Sequence, residues 1–244
     1  MVTKLPSSGA MPAGQEAGCD TSGLILVHRI FRWLYRELPL LIRDVKPGDT
    51  ARAAIVGRYA HLDFFALHMH HETEDMALWD RLTARDPGCA LHVDQMRAQH
   101  AEVAALLARI EPQLDPWVAS ADPELGEAFA RDIETLRDTL STHLGHEEEL
   151  IMPVAGAVLS QQEWDWMEEH TRATLSKHRK ELGKDIMALQ AGLLIAAVPE
   201  DEREAWMRAN IPAPIRLLYA LLMKRQYERA MRELYPDRPI PAMV

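Results

Sequence analysis

The sequence predicts an all-α fold, an antiparallel four-helix bundle followed by a helical extension, and three observations carry that expectation. Hydrophobic residues make up 48% of the chain and aromatic residues only 6%, a composition rich in Ala, Leu, Glu and Arg whose apolar positions recur at helical rather than alternating spacing. Four long stretches with this spacing are separated by short breaks of Pro, Gly and Asp, as neighbouring helices in a bundle are. At 244 residues the chain can bury a sizeable core without covalent staples.

Residues 1–20, which hold Pro, Gly and Ser, are expected to be a disordered leader, residues 21–158 the bundle, and residues 161–244 a helical extension packed on it. Thr21 or Ser22 is placed to cap a first helix reaching about Asp44, with Leu24, His28, Phe31, Tyr35 and Leu38 on one stripe and Pro39 predicting a kink or early end. Pro47-Gly48-Asp49 precedes a second helix from about Thr50 to Ala84, which Asp86-Pro87-Gly88 ends. A third helix covers about Ala90 to Ile110, and Pro112 and Pro116 mark the next connection. The fourth opens with Asp122 as cap and Pro123 in the first helical position and reaches about Val158. In the extension, Ser160 with Glu163 forms a capping box for a long run to Ala197. A short piece follows Pro199, and a last helix spans Ile215 to Leu234.

Charge and cysteine content narrow the function classes. A net charge of -10 argues against a nucleic-acid binder, which needs a basic stripe to neutralise phosphates. The two cysteines, Cys19 and Cys89, form neither a C-x-x-C pair nor a disulfide framework, which suits a reducing cytoplasm and leaves sulfur out of any metal site. No run of about eighteen apolar residues occurs, so stable membrane insertion is not expected. Between Ile215 and Leu234, Arg216, Lys224, Arg225, Arg229 and Arg232 are interspersed with Leu217, Leu218, Leu221, Leu222 and Tyr227. The favoured reading is an amphipathic helix packed against the bundle, with a membrane-surface or partner helix as the alternative.

The most informative feature occurs twice. His70-His71-Glu72-Thr73-Glu74-Asp75 and His143-Leu144-Gly145-His146-Glu147-Glu148 each place a glutamate four residues after a histidine. On a helix these positions stack, so each segment aims an imidazole and a carboxylate at one point. Ile133, Leu136, Leu140, His143, Glu147, Leu150 and Val154 follow steps of three or four and put His143 and Glu147 in the core stripe. A carboxylate buried among leucines costs several kcal/mol unless a cation or hydrogen bonds compensate it. His28 lies on the apolar stripe of the first helix, and Met96, His100, Val103 and Leu107 place His100 on that of the third. A single core histidine is usually a structural one; four helices each sending one inward point to a metal. His68 with Glu72 and His71 with Asp75 share the same spacing, and alignment with the fourth-helix copy selects His70. Glu72, Asp75, Glu148 and Glu149 are expected to be mostly solvated. Imidazole and carboxylate donors without thiolate suit iron, manganese or zinc.

At these residues the sequence resembles the hemerythrin-like family, whose members carry the HHE cation-binding domain, of the bacterial type with a C-terminal helical extension. The motif order is a helix-borne His, then H-x-x-x-E, then His, then H-x-x-x-E, over about Gly23 to Val158. Ferritin-like di-iron proteins differ in placing the carboxylate first, as Glu-x-x-His. The resemblance implies two non-haem, carboxylate-bridged iron ions, manganese being less favoured, with His28 and His70 toward one, His100 and His143 toward the other, and Glu74 and Glu147 bridging. The sequence departs from the oxygen-carrying members, which have two histidines one turn apart on the third helix, because Met96 and Ala104 flank His100 here. The missing nitrogen is expected from His71, His146, His170 or His178, or is replaced by water. The expected function is binding or reduction of a small oxidant such as dioxygen, peroxide or nitric oxide. The alternatives are a di-iron oxygenase or oxidase acting on an organic substrate, and a non-catalytic oxygen, iron or redox sensor.

Overall fold

The computed structural model describes residue 9 and residues 11–243. Its long helices are α1 (Ser22–Arg43), α2 (Thr50–Ala77), α4 (Ala90–Ile110) and α6 (Pro123–His146), joined through the short helices α3 (Trp79–Arg85) and α5 (Leu114–Ser120). A π-helical turn, Glu147–Ile151, leads from α6 into α7 (Met152–Val158). The extension holds α8 (Gln161–Lys177), α9 (Arg179–Leu182), α10 (Ile186–Ala197), α11 (Arg203–Asn210) and α12 (Ala213–Leu218), and then a second π turn, Tyr219–Met223, continuous with α13 (Lys224–Leu234).

Several boundaries follow the sequence signals. Asp122 caps α6 by accepting from the backbone N–H groups of Glu124 and Leu125, with Pro123 where no donor is needed. The Ser160–Glu163 capping box is complete. Others correct them. Thr21 makes no side-chain cap; Asp20 accepts from the Ser22 N–H instead. Pro39 does not end α1, which runs on to Arg43. The second helix breaks at Leu78, and the run expected to reach Ala197 breaks at His178 and at Gly183, whose φ of 104° places it in the left-handed region. Of the leader expected to be disordered, residues 1–8 and 10 lie outside the described residues. Its last residues are held in place: Gly18 N–H donates to Leu159 O at 2.8 Å and Cys19 N–H to Gly156 O at 3.0 Å.

Two apolar cores fill the bundle. The larger includes Phe31, Leu38, Phe64, Leu67, Val103, Leu107, Ile133 and Leu140. The smaller is built from Ala77, Leu78, Trp79, Val93, Met96, Ile151 and Met152, with Trp164 and Met167 of α8. Along α1 and α4 the chain passes from the smaller core into the larger, and along α2 and α6 it passes back. His28, His70, His100 and His143 fall between the two on their respective helices. The extension contributes Leu175, Leu182, Ile186, Leu189, Met231 and Leu234 to the larger core. Polar ties fix it further: Tyr59 Oη donates to Ala230 O at 3.1 Å and Trp33 Nε1 to Pro241 O at 2.9 Å.

Candidate metal centre

The layer between the cores is polar and closed. His28, His71, His100, His143, Glu74 and Glu147 are all buried, and His70 is 9% exposed. Two groups of donor atoms converge there, each with all its atoms within 4.8 Å of one another: His28, His70, Glu74 and Glu147 in one, His71, Glu74, His100 and His143 in the other. Glu74 is common to both. His28 Nε2 lies 3.4 Å and His143 Nε2 3.9 Å from Glu147 Oε2, while His100 Nε2 lies 3.6 Å from Glu74 Oε2. Glu147 thus also stands between residues of the two groups.

The Nε2 atoms of His28, His70, His71, His100 and His143, and both carboxylate oxygens of Glu74 and of Glu147, have no hydrogen-bond partner. These nine buried polar atoms face one another. Leaving each one unpaired would cost about 1–3 kcal/mol, and more for the charged ones, whereas a cation in each of the two groups would give these atoms partners. The residues present therefore fit metal ions.

Hydrogen bonds behind the imidazoles set their tautomers. His28 Nδ1 donates to Glu148 Oε1 at 2.8 Å, and the Arg32 guanidinium holds the same carboxylate at 2.7 and 3.1 Å. His100 Nδ1 donates to Asp75 Oδ1 at 2.8 Å, an oxygen that also accepts from Trp79 Nε1 at 2.6 Å. His143 Nδ1 faces Gln99 Oε1 at 3.3 Å. Because a carboxylate or amide oxygen only accepts, the proton sits on Nδ1 and the Nε2 lone pair is left for a cation.

The electrostatics fit the same picture. Burial pushes the His70 and His71 imidazoles well below their usual range, and the neighbouring histidines add to this. Burial also takes His143 down to about 4, against the pull of Glu147. Burial and the Glu147 carboxylate push Glu74 well above the carboxylate range. Burial would raise Glu147 too, but His28 more than offsets it and holds Glu147 at about 2.

Of the additional histidines singled out from the sequence, one joins the centre. His71 stacks on His100 with ring centroids 4.2 Å apart and meets His143 edge-on. His146 turns away, its Nδ1 accepting from Gln95 Nε2 at 3.0 Å and Gln99 Nε2 at 2.9 Å. His170 stacks on Trp166, and His178 pairs with Glu181 at 3.0 Å against the Phe65 ring; both stand apart from the converging donors because α8 packs outside the bundle. His68 pairs with Glu111 at 2.5 Å. Asp75 and Glu148, expected to be solvated, are instead bound to His100 and His28. The signal that could have found them is that each follows its inward glutamate by one residue in both copies of the motif.

A helical bundle with a buried histidine and carboxylate layer of this kind is a metal-binding protein. A family model described as the hemerythrin HHE cation binding domain matches residues 21–155, more than half of the chain, and the chain belongs to that family. No curated protein and no solved structure matches it.

Proposed function

We propose that the chain is a non-haem di-iron protein that binds or reduces a small oxidant, such as dioxygen, peroxide or nitric oxide, at this centre. The observation that supports it most is the set of nine buried, unpartnered nitrogen and oxygen atoms contributed by α1, α2, α4, α6 and the π turn that follows α6. Five imidazoles and two carboxylates without thiolate suit iron, manganese or zinc, and membership of the hemerythrin family favours iron, with manganese less favoured. In this reading His28, His70 and Glu147 would hold one ion and His71, His100 and His143 the other, with Glu74 common to both groups and Glu147 3.9 Å from His143. Bound there, the irons would supply the electrophilic site and the electrons that a small oxidant needs.

The chain's own residues do the rest. Asp75, Glu148 and Gln99 orient three of the imidazoles, and the two apolar cores on either side keep bulk water out. The Glu74 carboxyl, protonated far above its ordinary range without a cation, gives up that proton when the site fills. The space between the bundle and the extension does not favour an organic substrate. The cavity between the bundle and the extension, lined by Arg58, Tyr59, Leu62, Leu182 and Asp185, holds only about 80 Å³ and lies about two turns along α2 from His70. Cys19 and Cys89, both free thiols, suit a reducing compartment, and the reading places the protein in the cytoplasm.

The test is metal analysis of protein produced with iron, with ultraviolet-visible spectra before and after adding dioxygen, peroxide or nitric oxide. Iron near two equivalents per chain with oxo-bridge absorption that changes on oxidant addition is the expected result. His143→Ala and Glu147→Ala should lose iron and thermal stability together, while His61→Ala, on the exposed side of α2, should change neither. Iron retained in both site variants, or absent after anaerobic ferrous reconstitution of the unaltered chain, would overturn the reading.

A further inference from the structure

Five of the eleven large hydrophobic side chains exposed among the described residues fall within one eight-residue segment: Ile215, Leu217, Leu218, Leu221 and Leu222, between 44% and 60% exposed. The other six are scattered singly, as on any soluble protein surface. α12, the π turn and α13 form one unbroken helical stretch, on which Ile215, Leu218 and Leu222 and the pair Leu217 and Leu221 recur at steps of three or four and share one side. The opposite side is the one that packs. Tyr219, Met231 and Leu234 are buried, and the Tyr227 ring lies so close to Gly192 that an added Cβ there would stand 2.2 Å from it. The helix thus has two apolar sides, and only one is used within the chain.

The border of the unused side is basic. Residues 205–227 contain Arg208, Arg216, Lys224 and Arg225 and no acidic residue, in a chain whose net charge is -10; at the two ends Glu204 lies 2.9 Å from Arg208 and Glu228 3.9 Å from Lys224. Lys224 and Arg225 are exposed beside the leucines. Arg216 is held at the start of the stretch by the Arg208 and Ile211 carbonyls, at 3.2 and 2.6 Å. Exposed leucines flanked by Lys224 and Arg225 match a bilayer surface bearing anionic headgroups, where the apolar side chains enter the headgroup boundary and the basic ones stay in the anionic layer. A second copy of the chain matches it less well, because pairing the two patches would bring like charges together at the rim. No helix among the described residues is long and apolar enough to cross a membrane, so the contact is peripheral. We propose that this face, centred on Leu217, Leu221 and Leu222, docks the protein onto an anionic lipid bilayer.

The experiment is co-sedimentation of the full chain with phosphatidylcholine vesicles with and without phosphatidylserine, at low and high salt, and sedimentation velocity without lipid. Binding is expected to the phosphatidylserine vesicles alone and to weaken with salt. Lys224→Gln and Arg225→Gln should each weaken it about fivefold, and the double variant Leu217→Gln/Leu221→Gln should abolish it. Because these side chains are exposed, the circular dichroism and melting temperature of the variants should match those of the unaltered chain, which separates lost docking from lost folding. Absence of vesicle binding, or binding that survives Leu217→Gln/Leu221→Gln, overturns the proposal. So does lipid-free self-association that this double variant removes, which assigns the face to a second copy.

Discussion

At the scale of single residues, Asp75 and Glu148 are as informative as the buried donors. Each follows an inward glutamate by one residue, which turns it about 100° around the helix and away from the centre, yet each reaches the Nδ1 of a histidine on another helix. Asp75→Ala and Glu148→Ala are therefore expected to weaken metal binding about 10- to 100-fold, read by competition with a chelator, while the fold is kept. Unchanged affinity in both would mean that packing alone holds His100 and His28 in place. His71 is the second informative position. His71→Ala should lower metal content by about half and alter the spectrum of the remaining ion, whereas full content would hand the fifth nitrogen's place to water. The sequence picked out His70 because the second copy of its motif fixes the register. His71 stayed open, since its spacing to Asp75 is just as good. Only the packing of α4 against α2 shows that Asp75 is taken by His100 and that His71 faces inward.

At the scale of elements, the helices and most caps were legible because they depend on local signals such as Asp122-Pro123 and Ser160 with Glu163. What local periodicity did not carry was the π turn after His143. The expected core stripe ran through Leu150 and Val154, but Ile151 and Ala155 are the buried residues, a shift of one position that an extra residue in the turn produces. Long-range pairing was equally invisible. Glu163 not only closes the capping box of α8 but also receives the Arg85 guanidinium of α3 at 2.7 and 2.8 Å, with Arg81 Nε at 3.3 Å. Sequence separation gives no sign of such a contact. Glu163→Ala removes a cap and leaves buried guanidinium charge without its carboxylate, so it should destabilise the chain by about 3–5 kcal/mol. Chemical denaturation of the variant checks this. A loss below about 1 kcal/mol, the scale of an exposed ion pair, would show that the pairing contributes little.

At the scale of the whole molecule, a polar layer between two apolar cores makes stability depend on what fills it. Metal removal leaves the imidazoles of His70 and His71 far below their ordinary values and that of His143 at about 4. An imidazole whose folded value is depressed binds its proton more readily in the unfolded chain. The stability it confers is present above the unfolded value of 6.5 and is lost as pH falls toward the folded value. Glu147, held at about 2, acts in the same sense below its ordinary 4.5. Glu74 opposes them: its raised folded value confers stability below 4.5 that is lost as pH rises. Between pH 6.5 and about 4 the three imidazoles act against Glu74 within the layer, while Asp63 and Glu168, raised by burial outside it, act on Glu74's side; with those two removed, as Asp63→Asn/Glu168→Gln, the chelator-stripped protein should become less stable as the solution is acidified. Metal binds the folded chain and its deprotonated donors, so at neutral pH the loaded protein should melt well above the stripped one. Thermal melts of both forms across this window check the argument. Equal melting temperatures with and without metal would mean that the layer is held by packing alone, and a stripped Asp63→Asn/Glu168→Gln variant that gained stability on acidification would mean that Glu74 outweighs the three histidines.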